Sequence, residues 1–174
     1  MVQRIGGYLS DSDETIPMQS KDLLLYPSTF EVKLVQTEAQ LEKIFGIRMT
    51  VFVQEQNVPA EEELDSYDNA ATHFLVSRTE DDLCVGTARL LAKGEGIAKI
   101  GRVAILKEFR GLGLGALLMR FIEREALNES YETLVLEAQC YAIPFYEKLG
   151  YKAEGEVFLD ANIEHRLMKK TLNL

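Results

Sequence analysis

"EFRGLGLGALLMR", residues 108–120, places three glycines at alternate positions directly before an apolar run. Glycine lacks a side chain, so main-chain N–H groups in such a turn can come close to a ligand. The apolar residues follow the i, i+3, i+4, i+7 spacing of an amphipathic helix: Leu114, Leu117, Leu118 and Phe121. A helix start offers unpaired N–H donors and a positive dipole end, which favour phosphate. The stretch therefore predicts a phosphate-binding turn, with an ordinary tight start of a helix as the alternative.

The composition is that of a globular protein with one domain. The chain has 174 residues, of which 47% are hydrophobic and 27% charged. Its net charge of −9 argues against nucleic acid as a partner and is compatible with an amine substrate or simply with solubility. No apolar run approaches the roughly 18 residues of a membrane span, and the first residues lack an export signal pattern. We therefore expect a cytoplasmic protein with no membrane partner.

Cysteines and potential metal ligands show no site-like spacing. Cys84 and Cys140 have no disulfide framework around them, so both are expected to be free thiols in a reducing cytoplasm. Asp65, Asp68 and His73 lie close together, but their spacing fits no standard metal site. We interpret residues 58–72 as a solvated acidic loop and expect no bound metal.

The pattern along the chain predicts one α/β domain, residues 29–174, after a loosely ordered or peripheral extension, residues 1–28. The extension is polar and turn-rich and has no period. Strand-like runs lie at 29–36, 73–79, 83–92, 98–106, 133–138 and 165–170. Helical spacing is found at 38–56 with a break at Gly46, from Leu114 onward, and at 142–150, where Gly150 ends the helix.

Two nucleotide-binding motifs can be tested against the glycine turn. A mononucleotide P-loop needs a Lys-Ser or Lys-Thr pair after its glycines, and none is present. The dinucleotide motif GxGxxG/A is met literally by Gly111, Gly113 and Ala116. However, that motif should follow its strand at once in a repeating βαβ series, whereas "LKEFR" intervenes here and antiparallel-type strands precede it. A dinucleotide-dependent oxidoreductase therefore stays only as an alternative.

The stretch "RVAILKEFRGLGLGALLM", residues 102–119, resembles the central motif of the GNAT acyltransferases (Gcn5-related N-acetyltransferases). Their R/Q-x-x-G-x-G/A signature is matched by Arg110, Gly113 and Gly115. "LEAQCYAIPFYEKLGY", residues 136–151, is similar to the second cofactor motif of the family. Two further stretches, residues 47–65 and 157–170, resemble a small bacterial branch called YjcF-like or ElaA-like. The resemblance runs from about residue 31 to the C-terminus.

The resemblance implies a mixed, mostly antiparallel central sheet flanked by helices, with acetyl-CoA as the co-substrate. The strand before the glycines would bind the pantetheine arm through main-chain groups, as an added strand would. The glycine turn and helix start would hold the pyrophosphate. The implied cofactor-binding residues are Val103, Ala104, Ile105, Arg110, Gly111, Leu112, Gly113, Leu114, Gly115, Ala116, Gln139 and Phe145. Gln139 stands where the family often has Asn, which changes the reach of the amide.

The resemblance also implies direct attack of an amine on the thioester. Tyr146 matches the usual general acid, because a phenol stays protonated at neutral pH and can donate to a thiolate, although a packing role is the alternative. Gly101 stands where many members have the general base, a Glu. Glu137 on the neighbouring strand is therefore our candidate base. Glu55, His73 and a water relay stay open, and a catalytic role for His165 is no better supported than one for His73.

Three arginines, Arg48, Arg89 and Arg102, lie on segments that should border the acceptor cleft. If they point inward, the acceptor carries a carboxylate or phosphate besides its amine; the alternative is that they are surface charges. The leading hypothesis is an acetyl-CoA-dependent N-acyltransferase acting on a small-molecule or protein amine. A non-catalytic acyl-CoA-binding module is the alternative. Open sheet edges are compatible with a homodimer.

Overall fold

The structure, a computed structural model, describes residues 29–173, so the predicted extension, residues 1–28, lies outside it. In the described part seven strands form one sheet: β1 Phe30–Leu34, β2 Thr72–Arg78, β3 Cys84–Gly94, β4 Ile97–Ile105, β5 Thr133–Gln139, β6 Lys152–Asp160 and β7 Ile163–Thr171. The flanking α-helices are α1 Glu38–Arg48, α2 Ala60–Glu63, α3 Leu114–Asn128 and α4 Ile143–Lys148. The strand order is β1-β2-β3-β4-β5-β7-β6, and only β4 and β5 pair in parallel. The predicted mixed, mostly antiparallel fold is confirmed.

Two apolar clusters cover the sheet, one around α3 and the other around α1. Successive strand residues point to opposite faces, so Phe74 packs in the first cluster and Leu75 in the second. The buried stripe of α3 consists of Leu114, Leu118, Met119, Ile122 and Ala126. Leu117, which the spacing predicted on the buried face, is 36% exposed. The buried face includes Leu118 and Met119 instead.

The helix after β1 does not break at Gly46. It starts at a capping box in which Thr37 and Gln40 satisfy each other's main-chain N–H groups. A glycine costs only about 1 kcal/mol inside a helix, and the burial of Ile44 and Ile47 on either side outweighs that cost. From Met49 to Glu55 the hydrogen bonding widens to that of a π-helix, which shifts the phase of the buried face.

Two other local predictions were wrong or incomplete. Residues 58–72, predicted to be a solvated loop, contain α2 and a 3₁₀ turn at Ser66–Ala70, and Glu63 in α2 is only 1% exposed. Strand β6 was not predicted as a separate strand. It is exposed along most of its length, so it lacks the apolar alternation that marks a half-buried strand.

Strands β4 and β5 diverge, and this divergence positions the site. Their pairing lasts from Ile97↔Thr133 to Ile100↔Leu136, although both strands continue beyond it. A bulge in β4 lies at the point of divergence, since Thr87↔Ala104 is followed by Arg89↔Gly101, one residue out of register. Arg102 in this bulge has φ +56°. The result is a gap between the carboxyl-terminal halves of β4 and β5.

Both cysteines are free, as predicted. Burial raises the pKa of the Cys84 thiol to about 11, while Cys140, directly after β5, is half-buried. No helix within residues 29–173 combines the length and the apolar character needed to cross a bilayer.

Candidate active site

The gap leaves one main-chain edge of β4 without a partner strand in the described chain. The Leu106 N–H donates to the Val85 carbonyl at 2.9 Å, so position 106 faces β3. The main-chain groups of successive strand residues point in opposite directions. The N–H of Ile105 therefore faces the gap, and the N–H of Ala104 faces β3. Of the predicted pantetheine-binding residues, Ile105 is thus placed to pair with an extended ligand and Ala104 is not. The side chains of Val103 and Ile105 are buried in the core beneath the gap.

The glycine turn lies between β4 and α3 and is open to a ligand. Gly111 and Gly113 have φ of +81° and +75°, and a Cβ added to either would meet no atom within 4 Å. Gly113 caps α3 without any side-chain hydrogen bond. The first intrahelical bond of α3 runs from the Leu117 N–H to the Gly113 carbonyl at 3.1 Å. The N–H groups of Leu114, Gly115 and Ala116 therefore have no acceptor within the helix.

Arg110 is held beside this turn but does not point into it. Its guanidinium donates to both carboxylate oxygens of Glu55 at 2.8 and 3.1 Å and to the Ile105 carbonyl at 2.9 Å. This arrangement fixes the turn against β4 and the π-helical segment. It also commits Glu55, one of the alternative bases, to an ion pair with Arg110. The main-chain N–H of Arg110 donates to the Lys107 carbonyl at 3.3 Å, so what Arg110 can add to phosphate binding is its charge beside the turn.

The second motif brings its polar residues to the opposite wall of the gap. Gln139 ends β5, is 1% exposed and donates through Nε2 to Oε1 of Gln56 at 3.1 Å. Tyr146 on α4 is fully buried, and its ring lies edge-on to Phe145 and Tyr151 at centroid distances of 5.0 and 6.0 Å. Burial raises the pKa of the Tyr146 hydroxyl well above its usual value. The phenol therefore stays protonated throughout the physiological range.

Glu137 lies where the gap begins. Its strand neighbour Leu136 is the last residue of β5 paired with β4, so Glu137 is the first beyond the pairing. Its Oε2 is 2.9 Å from Nζ of Lys99 on β4, and the two side chains are 29% and 22% exposed. A cleft of about 170 Å³ adjoins this ion pair. It is lined by Tyr67, Arg89, Leu91, Ala92, Lys93, Lys99 and Gly101.

The three arginines that were candidates for acceptor binding are buried and paired within the protein. Arg48 Nε is 2.7 Å from Glu63 Oε1, and its Nη1 is 2.7 Å from Asp68 Oδ1. The other bonds join Arg89 to Asp65 and Asp68, and Arg102 to Glu63 and Asp65, at 2.7 to 3.1 Å. These three arginines and three acids form what we call the arginine network. It ties residues 60–70 to β3 and β4, so it forms a wall of the cleft and is not directed at a ligand.

Asp68, one of the acids of the arginine network, predicts a loss of stability in acid. Burial by itself raises the pKa of Asp68, but hydrogen bonds and charges of Arg48 and Arg89 outweigh it and hold the pKa at about 2. A carboxylate with a pKa depressed on folding stabilises the protein above its unfolded pKa, about 3.9, and loses that effect as the pH falls toward 2. We expect this group to contribute about 2.5 kcal/mol over that window. In urea unfolding, the free energy of unfolding of Asp68→Asn should fall less between pH 4 and pH 2 than that of the unchanged protein. The same fall in both proteins would contradict this assignment.

The two histidines lie at other places in the fold. His73 Nε2 is 2.9 Å from the Asp68 carbonyl oxygen, and burial lowers the pKa of this imidazole. It stands beside the arginine network rather than in the gap. His165, on β7 opposite Gln139, is fully buried, stacks on Phe158 and has Nδ1 2.7 Å from the Ile163 carbonyl oxygen. Of the candidate bases, Glu137 lies at the mouth of the gap and keeps 29% of its side chain exposed.

The comparison with known proteins agrees with this geometry. Residues 32–172 match the family model of the acetyltransferase (GNAT) domain. The Bacillus subtilis (strain 168) protein named "Uncharacterized N-acetyltransferase YjcF" is 39% identical over 138 residues, 79% of this chain and 96% of that protein. The structure of an acyl-CoA N-acyltransferase from Pseudomonas aeruginosa aligns with a TM-score of 0.72 at 30% identity, covering 82% of this chain and 98% of that one. Escherichia coli ElaA aligns with a TM-score of 0.72 at 26% identity, covering 81% and 99%.

The chain belongs to the GNAT family of acetyltransferases. The family resemblance that the motifs at 102–119 and 136–151 carried is thereby confirmed, including the likeness to YjcF and ElaA. Sequence reasoning did not single out Lys99. The signal that could have found it is its place two residues before Gly101 on the same strand, and therefore on the same face.

Proposed function

We propose that the protein transfers an acetyl group from acetyl-CoA to a primary amine by direct attack on the thioester. The observation that carries this is the divergence of β4 from β5 directly beside an uncapped helix start with two positive-φ glycines. An unpaired strand edge suits the amide groups of a pantetheine arm, and free N–H groups at a helix start suit a pyrophosphate. The names of the relatives, an N-acetyltransferase and an acyl-CoA N-acyltransferase, support the same donor class.

The predicted ligand-binding residues divide by the part of the donor that they would contact. The main chain at Val103 and Ile105 would hold the pantetheine arm. The pyrophosphate would lie on the main chain of Gly111, Leu112, Gly113, Leu114, Gly115 and Ala116, with the charge of Arg110 beside it. Gln139 and Phe145 would border the thioester end. Ala104 packs in the α1 cluster and would contribute through that packing.

Catalysis would combine positioning with two proton transfers. The amine nitrogen forms a bond to the thioester carbonyl carbon, and the carbon–sulfur bond breaks. Glu137 takes a proton from the attacking nitrogen, and the Tyr146 phenol gives one to the departing sulfur. The proton from Glu137 then restores the phenol through solvent, so that amide and free thiol are the products and no proton is gained or lost. No metal or further cofactor is needed for this balance.

Release of free thiol tests the proposed activity directly. The full chain is incubated with acetyl-CoA and a panel of primary amines, and thiol is followed with a colorimetric reagent. We expect amine-dependent thiol release, with the N-acetylated product found by mass spectrometry. Heat-unfolded protein and reactions without amine give the background. Protein that binds acetyl-CoA but releases no thiol above background with any amine would be a binding module and would contradict the proposal.

Gly113→Ala is expected to weaken acetyl-CoA binding at least about tenfold. A Cβ at φ +75° strains the backbone by about 1–2 kcal/mol and projects into open space beside the free N–H groups. Gly155→Ala is the matched control, because Gly155 on β6 has φ +70° and a Cβ there also meets nothing within 4 Å. Both variants should lose similar stability in urea, but only Gly113→Ala should lose affinity in calorimetric titration. Equal affinities in the two variants would mean that the glycine turn is only a tight start of α3.

A further inference from the structure

The cleft beside Glu137 is lined by basic side chains although the chain as a whole is acidic. The net charge of the chain is −9, yet the seven residues that line the cleft include three basic ones and no acid. Such local reversal is typical of a surface that receives an anion, because field lines concentrate in clefts with charges of one sign. The volume, about 170 Å³, is below the roughly 300–1,000 Å³ of pockets for drug-sized ligands. The cleft therefore fits a small charged group.

Two of the three cations are available to a ligand. The guanidinium of Arg89 is fully buried and bonded to Asp65 and Asp68. A ligand that displaced these partners would leave buried carboxylates without a compensating charge, which costs much free energy. Lys93 is exposed on β3. Lys99 is the deeper of the two lysines, since it lies two residues before Gly101 at the point where β4 leaves β5.

The ion pair between Lys99 and Glu137 can exchange its partners. Its side chains are 22% and 29% exposed, so both charges keep water as an alternative partner and the pair adds little net stability. An acceptor with an ammonium and a carboxylate group can replace this ion pair with two new ones, one to Glu137 and one to Lys99. The ammonium takes the place of Lys99 beside Glu137, and the carboxylate binds the freed Nζ of Lys99. The ammonium then releases one proton to solvent and becomes the neutral amine, which loses its second proton to Glu137 as it attacks.

We propose that the acceptor is a small amine that also carries a carboxylate, and that Lys99 is the residue that selects it. This inference rests on the proposed acyl transfer and adds its substrate class. Glu137 receives the amine end at the mouth of the gap, where it also accepts the proton. Lys99 and Lys93 receive the carboxylate end in the cleft.

Matched acceptor pairs test the substrate class. Each pair consists of an amino acid and its amide: glycine and glycinamide, β-alanine and β-alaninamide, 4-aminobutyrate and 4-aminobutanamide. We expect at least one acid to be acetylated with a kcat/KM at least tenfold above that of its amide, although its amine is the more basic of the two. Acetylation of amides and simple amines as well as or better than acids would overturn the inference and leave the acyltransferase function intact. No thiol release from any acceptor would contradict the function itself.

Variants of Lys99 test the residue. Lys99→Gln should lower kcat/KM for the preferred acid about 10- to 100-fold through KM, because a charge-assisted hydrogen bond to the carboxylate is lost. The amide should change less than about threefold. Lys99→Arg, which keeps the charge, should retain the preference for the acid. Lys152→Gln, the same substitution on exposed β6, is the control for net charge and should leave both acceptors unchanged. An equal loss for acid and amide in Lys99→Gln would overturn the assignment of Lys99.

Discussion

Replacing Tyr146 by Phe is expected to lower kcat about 10²- to 10⁴-fold while leaving the affinity for acetyl-CoA unchanged. The substitution removes only the hydroxyl, and the ring keeps its edge-on contacts with Phe145 and Tyr151. Because burial raises the pKa of this hydroxyl, the phenol is protonated and able to donate at every pH at which the enzyme would work. Loss of a general acid typically costs that range in rate.

The control for this prediction is Tyr151→Phe. Tyr151 is also buried, 2% exposed, and packs against Tyr146, so its loss of a hydroxyl tests for a general effect on packing. Steady-state thiol release gives kcat and calorimetric titration gives the affinity. If Tyr146→Phe keeps kcat within threefold of the unchanged protein, Tyr146 is a core aromatic and not the acid.

Replacing Arg48 by Ala is expected to destabilise the protein by about 3–5 kcal/mol. Arg48 is fully buried, and the substitution leaves a hydrogen-bond acceptor of Glu63 and one of Asp68 without this partner in the interior. Removing one partner of a buried ion pair costs that much because the remaining charge is desolvated and uncompensated. The change is measured as a shift in the urea midpoint at constant m value.

Arg78→Ala is the matched control for Arg48→Ala. Arg78 pairs with Asp81 at the surface, where the side chains are 31% and 48% exposed, so its loss should cost no more than about 1 kcal/mol. A loss below 1 kcal/mol for Arg48→Ala would mean that the arginine network does not hold residues 60–70 against the sheet. The consequence for function is direct, because Tyr67 in that segment is one wall of the cleft.

The sequence predicted the positions of the helices and strands better than it predicted which side of each element is buried. Most strands and the start of α3 follow from local alternation and from glycine chemistry, which depend on neighbouring residues only. The side-chain partners of Arg48 lie 15 and 20 residues away, so its burial could not be read from helical spacing. The π-helical turns after Arg48 also shift the buried face in a way that a 3.6-residue period does not predict.

In the candidate site, too, local features could be predicted from the sequence and long-range contacts could not. The glycine turn and Tyr146 could be predicted as candidates because their motifs are local. The divergence of β4 and β5 depends on a bulge at Arg102, a residue with φ +56° that no glycine marks in the sequence. Lys99 on β4 and Glu137 on β5 form their ion pair across that point. Their contact depends on how the two strands are placed beside each other, which the pattern of either strand alone does not show. The acceptor side that we propose for the site could therefore be described only from the structure.

Calorimetric titration of the full chain with acetyl-CoA, with NADH as the comparison ligand, tests the central claim most directly. The account predicts one acetyl-CoA bound per chain with micromolar affinity, weakened in Gly113→Ala and not in Gly155→Ala, and no heat from NADH. Folded protein that binds no acetyl-CoA would contradict the account, and binding of NADH in its place would make the glycine turn a dinucleotide site.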